Sequence, residues 1–416
     1  MLQTLKHWLW DAELFEPNEK FWRPLANAYV VLFAIVFTST FWLFMNHAGR
    51  LGPGLGEDDS IGAWQDLIER LNGYGEAMGS PIPLIAVAAL FFGGIIWRAY
   101  IVMRGYFKFK AHEGEAFPLR LLGTIGLVNL FNIVAIQIVL VTLGVISYFL
   151  FEDFSIGWTT IEQLAAVAHS WVSKVPTIIE LHPILTIFVV YMLQGFLHYW
   201  LHRVGHTFRA GWLLFHRQHH LSPQLIYPTT SEVFYAIPLF LFAVIPYNLI
   251  FAAASKLFSP DPLYVEFILI NMVFLISEIY GHNTALYHEG RKNPIIKALG
   301  WLFLNGPYHY LHHSAEEADA GKNGAVNMTN IGGGLFGLWD RMFGPYSGLR
   351  EERPPVGLTG NPELYMHPLR LACGGMAQIG YELWKNKSWK DRFWILFGNS
   401  NWNPPVTHDF AVKHQA

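Results

Sequence analysis

The sequence predicts an all-α membrane protein, a polytopic bundle of about six transmembrane helices with a cytosolic helical cap that carries clustered histidines. Of its 416 residues, 52% are hydrophobic and only 14% are charged, whereas a soluble domain carries about 25% charged residues. The apolar residues also gather in runs of roughly 20, which is the length needed to cross the hydrocarbon core. Eleven of the 19 histidines lie between His198 and His313.

Six apolar segments are candidate membrane spans. They are Leu25–Met45, Pro83–Val102, Leu121–Leu150, Pro183–Leu197, Val233–Ala253 and Leu263–Tyr280. The fourth segment is short, so we expect its helix to continue through Tyr199 and Trp200 into the first group of histidines. The spans divide the chain into an N-terminal transmembrane region (1–182), a histidine-box catalytic domain (183–346) and a C-terminal cytosolic tail (347–416).

Lysine and arginine predict the orientation of these spans. They are frequent before span one and after spans two, four and six, and sparse in the intervening loops. Because cytoplasmic loops are enriched in lysine and arginine, both termini and every histidine group are predicted to face the cytoplasm.

Composition excludes several other classes of protein. The net charge of -3 argues against a nucleic-acid partner. Cys373 is the single cysteine, which excludes a disulfide framework, a zinc ribbon and a cysteine-ligated iron–sulfur cluster. The first apolar run, after Pro24, is too long for the core of a signal peptide, and no small-residue cleavage site follows it. We therefore expect no cleaved signal peptide.

The histidines occur in four groups whose spacing is helical. A step of four residues advances about 40° around a helix, and steps of three and four keep side chains on one face. The groups are His198, His202 and His206; His216, His219 and His220; His282 and His288; and His309, His312 and His313.

This many imidazoles on one side of a membrane predict a metal centre. A neutral imidazole suits iron, zinc, copper or nickel, and nine or more donors are enough for two metal ions. Protonated rings would repel one another, so a cluster of this kind is favourable only when metal is present. An anchoring role at the membrane interface is the simpler alternative, chiefly for His198 and His288. A metal transporter would need polar residues at mid-span, and a haem electron carrier would need only two or four axial histidines.

The motifs resemble those of the fatty acid hydroxylase and sterol desaturase superfamily. The resemblance covers roughly residues 190–346. It is carried by Tyr199-Trp200-Leu201-His202-Arg203-x-x-His206, His216-x-x-His219-His220, His282, Leu304-Asn305-Gly306, His309-x-x-His312-His313 and Leu338-Trp339-Asp340-Arg341-x-Phe343-Gly344.

The resemblance implies a cytosol-facing, non-haem di-iron centre that uses dioxygen to oxidise a C–H bond of a lipid. Hydroxylation is favoured and desaturation is the alternative, while zinc would also fit the ligands. The implied ligands are His202, His206, His216, His219, His220, His282, His309, His312 and His313, with His198 and His288 as further candidates.

Groups beyond the ligands are also predicted. Glu278, one helical turn before His282, is a candidate to orient a ligand's free N–H, and Asn283 could do the same or cap a turn. No haem-binding or nucleotide-binding motif occurs in the chain, so we expect an external electron donor, either a cytochrome-b-type protein or a ferredoxin with its reductase.

Overall fold

The computed structural model describes residues 170–221, 245–260, 286–316, 318–319, 327–332, 334–358 and 368–409, together with isolated positions between 24 and 149 and between 273 and 283. These residues are mostly helical. They contain no β-strand, only two isolated bridges, Phe208 with Asn399 and Ser314 with Val356. The predicted helical class is therefore confirmed for this part of the chain.

Helix α1, Pro183–Thr207, is long enough to cross a membrane and to continue beyond it. Proline occupies its first turn, and the His182 side chain accepts a hydrogen bond from the backbone of Ile184. Its 25 residues extend about 37 Å at 1.5 Å per residue, against a hydrocarbon core of about 30 Å. The last turns can therefore project into the interface, and the predicted continuation of this helix through the first histidine group is confirmed.

Within the described residues, α1 is the one helix that is long and apolar enough to span a membrane. Leu185, Val189 and Leu193 recur at four-residue spacing on its exposed side. Its opposite side packs against α3, Ile245–Phe258, through Val190 and Ala254. The rest of the six-span bundle falls largely on residues outside the described set, so it stays a prediction.

Two short helical segments follow α1. Residues Gly211–His216 form a π-helix, and α2 continues as Arg217–Leu221. Gly211 lies so close to α1 that a Cβ there would be 3.1 Å from the Val204 carbonyl oxygen. This close approach brings the second histidine group alongside the end of α1.

Three helices carry the last histidine group into place. They are α4 (Tyr287–Lys292), α5 (Pro294–Phe303) and α6 (Pro307–His312). Between α5 and α6, Leu304 has a φ of 49° and Gly306 a φ of 57°, which makes a tight turn. Asn305 in this turn accepts a hydrogen bond from Ser277 and donates one to the Phe274 carbonyl. The turn is thus tied to the segment that precedes His282.

After α6 the chain folds back over α1. Helix α7, Leu338–Phe343, places Phe343 against Tyr199, with ring centroids 5.5 Å apart. Arg203 of α1 donates to the Tyr199 hydroxyl and to the Phe343 carbonyl. Asp340 is buried, and one of its carboxylate oxygens accepts the backbone N–H of Gly332 at 3.0 Å. Desolvation raises the Asp340 pKa to about 7.

The C-terminal segment packs against the histidine-bearing core through a buried ion pair. It contains α8 (Pro368–Lys385) and α9 (Trp389–Phe397). Arg209, just beyond α1, donates from both terminal guanidinium nitrogens to the Glu382 carboxylate, and its Nε donates to the Trp402 carbonyl at 2.8 Å. The side chains of Arg209 and Glu382 are only 2% and 0% exposed.

Neutralising Glu382 should strongly destabilise the protein, because Arg209 would remain buried without its counter-charge. Breaking a buried ion pair from one side costs about 3–5 kcal/mol. We expect Glu382→Gln to lower the free energy of unfolding by that amount in denaturant titrations of the detergent-solubilised protein. Glu289→Gln is the matched control, since its pair with Arg104 is 33–39% exposed and such pairs contribute about 0–1 kcal/mol. Equal losses in the two variants would contradict this account.

Candidate metal centre

Five histidines from three segments converge in one group. His202 and His206 come from α1, His216 and His220 from the π-helix and α2, and His312 from α6; their ligand atoms all lie within 4.8 Å of one another. The Nε2 atoms of His202 and His216 are 2.9 Å apart. The Nε2 atoms of His206 and His312 are 3.1 Å apart, as are those of His216 and His220.

These separations match the spacing of nitrogens around a single metal ion. Two nitrogens bound at about 2.1 Å and at right angles are about 3 Å apart. The observed Nε2–Nε2 distances run from 2.9 Å to 3.3 Å. The five Nε2 atoms thus lie about where ligands of one metal ion would lie.

Hydrogen bonds to the backbone fix the tautomer of two of these rings. His202 Nδ1 lies 2.6 Å from the Ile331 carbonyl oxygen, and His312 Nδ1 lies 2.7 Å from that of Thr329. A carbonyl only accepts, so each Nδ1 carries the proton and each Nε2 presents a lone pair. A cation at the centre would bind the Nε2 lone pairs of these two rings, and those of the other three rings whenever their Nε2 atoms carry no proton.

Burial keeps the rings of this group in their neutral form. His206, His220 and His312 are fully buried. Desolvation first, and the neighbouring imidazoles second, hold the pKa values of His216, His220 and His312 well below 6.5. These rings are therefore neutral at physiological pH, which is the form that binds metal.

Three further histidines form a second group beside the first. They are His219, His309 and His313, whose ligand atoms lie within 4.8 Å of one another. The Nε2 atoms of His309 and His313 are 3.2 Å apart. The His313 ring stacks on that of His220 at 4.3 Å between centroids, so the two groups share a boundary.

His282, the remaining predicted ligand, lies outside the described residues, but its neighbour Gly281 locates that part of the backbone. A Cβ on Gly281 would lie 2.3 Å from the Gly306 carbonyl oxygen and 3.1 Å from Cβ of His309. Only glycine allows so close an approach. The backbone at Gly281 therefore runs beside the second group, which has three described donors.

The other described candidates are not members of either group. His198 is one turn before His202, with ring centroids 5.7 Å apart, but it belongs to neither group. His288 is exposed on α4. Glu278 interacts electrostatically with His198. Asn283 is buried, and its amide donates to the Ile101 carbonyl at 3.4 Å.

The sequence did not indicate the role of residues 327–332, which form hydrogen bonds to three of the histidine rings. This segment supplies the carbonyls of Thr329 and Ile331, and the Asn327 side-chain amide lies 3.2 Å from His220 Nδ1. Asn327 and Asn330 have φ values of 46° and 45°, a conformation that asparagine tolerates better than most residues. The available signal in the sequence was two asparagines three residues apart, a residue type that tolerates positive φ.

Comparison with known proteins agrees with this geometry. Residues 187–345 match the family model described as Fatty acid hydroxylase. Over these residues the chain is similar to the fatty acid hydroxylase superfamily. The family is membrane-associated, and the resemblance drawn from the histidine motifs is confirmed.

Two curated proteins that are similar to this chain share one name. The chain is 23% identical over 208 residues to the human protein named alkylglycerol monooxygenase and 21% identical over 219 residues to its namesake from Xenopus tropicalis. The matches cover 50% and 53% of this chain but only 40% and 43% of those proteins, so the chain spans less than half of their length. By their names, both relatives are oxidoreductases. No solved structure matches the chain.

Removing one histidine from either group should remove bound metal. We expect His312→Ala and His313→Ala each to lower the metal content of purified protein, measured by inductively coupled plasma mass spectrometry, by about half. If each group binds its own ion, the variant loses one ligand of that ion, and no solvent water can take the place of the lost ligand in a buried site. His288→Ala is the control, because this exposed ring lies outside both groups. Unchanged metal content in His312→Ala would contradict the assignment.

Proposed function

We propose that this chain oxidises a C–H bond of a membrane lipid, by hydroxylation, with a pair of iron ions held by histidines alone. The observation that carries this proposal is the convergence of eight imidazoles into a group of five and a group of three. The family match and the two relatives support lipid C–H oxidation in general. The first group would hold one ion, and the second group, with His282, would hold the other.

The donor set fits iron. Imidazole is a ligand for iron, zinc and copper, and neither group contains a cysteine or a carboxylate among its described members. When bound, the two ions would activate dioxygen and oxidise the substrate C–H bond, with two electrons from an outside donor. The protein's contribution is to hold the rings neutral and to fix their direction through the Ile331 and Thr329 carbonyls.

The position of the centre supports a lipid substrate. His202 and His206 lie in the last two turns of α1, whose exposed side is apolar at Leu185, Val189 and Leu193. If α1 crosses the bilayer, these histidines stand at the membrane interface. An acyl or alkyl chain in the bilayer could then reach the centre without leaving the apolar phase.

We further propose a glycerol ether lipid as the first substrate to test. Both relatives are named alkylglycerol monooxygenases. Desaturation by the same centre is the second candidate, because histidine spacing leaves open whether an oxygen is inserted or a second hydrogen is removed. Positioning of the bond decides between these outcomes. The electron donor is proposed to be a cytochrome-b-type protein or a ferredoxin with its reductase.

Lipid mass spectrometry tests this proposal. Cells that express the chain are supplied with an alkylglycerol, a sterol or a fatty acid, each isotopically labelled, and their lipids are compared with those of cells that express His312→Ala. We expect a product that gains one oxygen, or an aldehyde from breakdown of a hydroxylated ether, and at least tenfold less of it with His312→Ala.

Two results would decide against the proposal. His288→Ala, the exposed control, should retain activity; if it falls as far as His312→Ala, the two groups are not the reacting centre. If iron-loaded, abundant protein changes none of the labelled lipids under ¹⁸O₂ in the presence of reductant, lipid C–H oxidation is wrong. A product that has lost two hydrogens without incorporating ¹⁸O would replace hydroxylation by desaturation.

A further inference from the structure

Helix α9 exposes an unusual set of aromatic side chains. Trp389, Phe393 and Phe397 follow one another at four-residue spacing and are 80%, 54% and 53% exposed. Trp394 beside them is 41% exposed, whereas Ile395 on the opposite side is fully buried. We call the exposed side chains Trp389, Phe393, Trp394 and Phe397 the aromatic face.

The aromatic face is contiguous. The Phe393 ring contacts both Phe397 and Trp394, with centroids 5.2 Å and 5.6 Å apart. Soluble surfaces seldom gather large apolar side chains in this way unless something binds there. Because Ile395 anchors the helix to Trp212 and Leu213 in the protein core, the aromatic face is held outward by packing.

Basic residues surround the aromatic face. Residues 384–397 contain four basic side chains, Lys385, Lys387, Lys390 and Arg392, and one acidic side chain, Asp391, for a net charge of +3. Lys385 Nζ lies 4.1 Å from the ring centroid of Trp384, which is itself 62% exposed. Exposed tryptophans with flanking lysines are typical of segments that lie at a membrane surface.

The position of α9 also favours contact with a membrane surface. The end of α9 is bound to the end of α1 through two backbone hydrogen bonds. Arg209 N–H donates to the Gly398 carbonyl at 2.8 Å and Ser400 N–H donates to the Thr207 carbonyl at 2.8 Å, which together form the antiparallel bridge between Phe208 and Asn399. Where α1 leaves the bilayer, α9 is therefore adjacent to the headgroups.

We propose that α9 docks the C-terminal segment on the surface of the bilayer, with the aromatic rings at the boundary between headgroups and acyl chains. The lysines and Arg392 would lie against anionic headgroups, to which basic residues near a membrane are attracted. The partner is thus a bilayer that contains anionic lipid. This inference depends on α1 lying in a membrane and is independent of the reaction catalysed.

Site-directed spin labelling of the full chain in lipid nanodiscs tests the docking. Labels are placed on Phe393→Cys and Phe397→Cys in a Cys373→Ser background, with Leu193→Cys on α1 as the lipid-exposed reference and Glu352→Cys as the exposed aqueous control. The quantity measured is the oxygen-to-nickel ratio, which is the collision rate of the label with oxygen divided by its collision rate with a soluble nickel chelate. In discs of phosphatidylcholine and phosphatidylserine, we expect this ratio to be several-fold higher at Phe393 and Phe397 than at Glu352.

The charge contribution is tested separately. Replacing Lys385, Lys387 and Lys390 with glutamine should lower the oxygen-to-nickel ratio at Phe393 in discs that contain phosphatidylserine, and change it little in phosphatidylcholine alone. Each lost charge should weaken docking by about fivefold. Equal effects in both lipids would overturn the assignment to an anionic surface.

Three results would overturn the docking itself. One is a label at Phe393 that behaves like the label at Glu352. Another is exclusion of both reagents from Phe393, which would mean that protein covers the aromatic face. The third is an aqueous signal at Leu193, which would remove the premise that α1 lies in the bilayer. Each labelled protein must retain the unfolding midpoint of the Cys373→Ser background, so that a misfolded variant is not counted.

Discussion

The described structure depends on one electrostatic constraint. Histidine Nε2 atoms lie about 3 Å apart in a buried space, where nitrogen lone pairs that face one another repel. His202 and His312 are held in that state by carbonyl acceptors. Protonated rings would repel, and burial already keeps the pKa values of His216, His220 and His312 low. A bound metal ion would offset the repulsion among the ring nitrogens, which is why the proposed function rests on the geometry of these rings.

The other contacts in the described structure hold the histidine-bearing segments in this arrangement. The π-helix places His216 and His220 beside α1, and the turn at Gly306 brings α6 against the segment before His282. Arg209 and Glu382 join the C-terminal segment to the end of α1 by a buried ion pair. Arg217, next to His216, donates to Gln378 of α8 at 3.1 Å. The C-terminal segment is thus in direct contact with α2, the helix that carries His219 and His220. If the aromatic face docks on the bilayer, this contact would join the docked segment to the histidines.

The sequence predicted the parts of this arrangement that have a helical period. Four-residue spacing indicated that α1 would continue through His202 and His206, and it does. The division of the histidines into five and three could not be predicted, since it depends on how segments distant in sequence meet. The roles of Thr329 and Ile331 could not be predicted either. They act through backbone carbonyls, which every residue has, so the side chain at these positions gives no indication of the contact. The packing of the C-terminal segment against α1 depends on buried pairs such as Arg209 with Glu382. These residues are 173 positions apart in sequence, so no local pattern predicts their contact.

The most direct test is X-ray absorption spectroscopy at the iron edge of protein purified with iron. This account predicts a first shell of nitrogen and oxygen only, at about 2.1 Å, with the multiple scattering that imidazole rings produce and a further iron neighbour. Removing His312 should lower the imidazole contribution while leaving one iron ion bound. A sulfur shell, a shell without imidazole scattering, or a single iron ion in fully loaded protein would contradict the central claim.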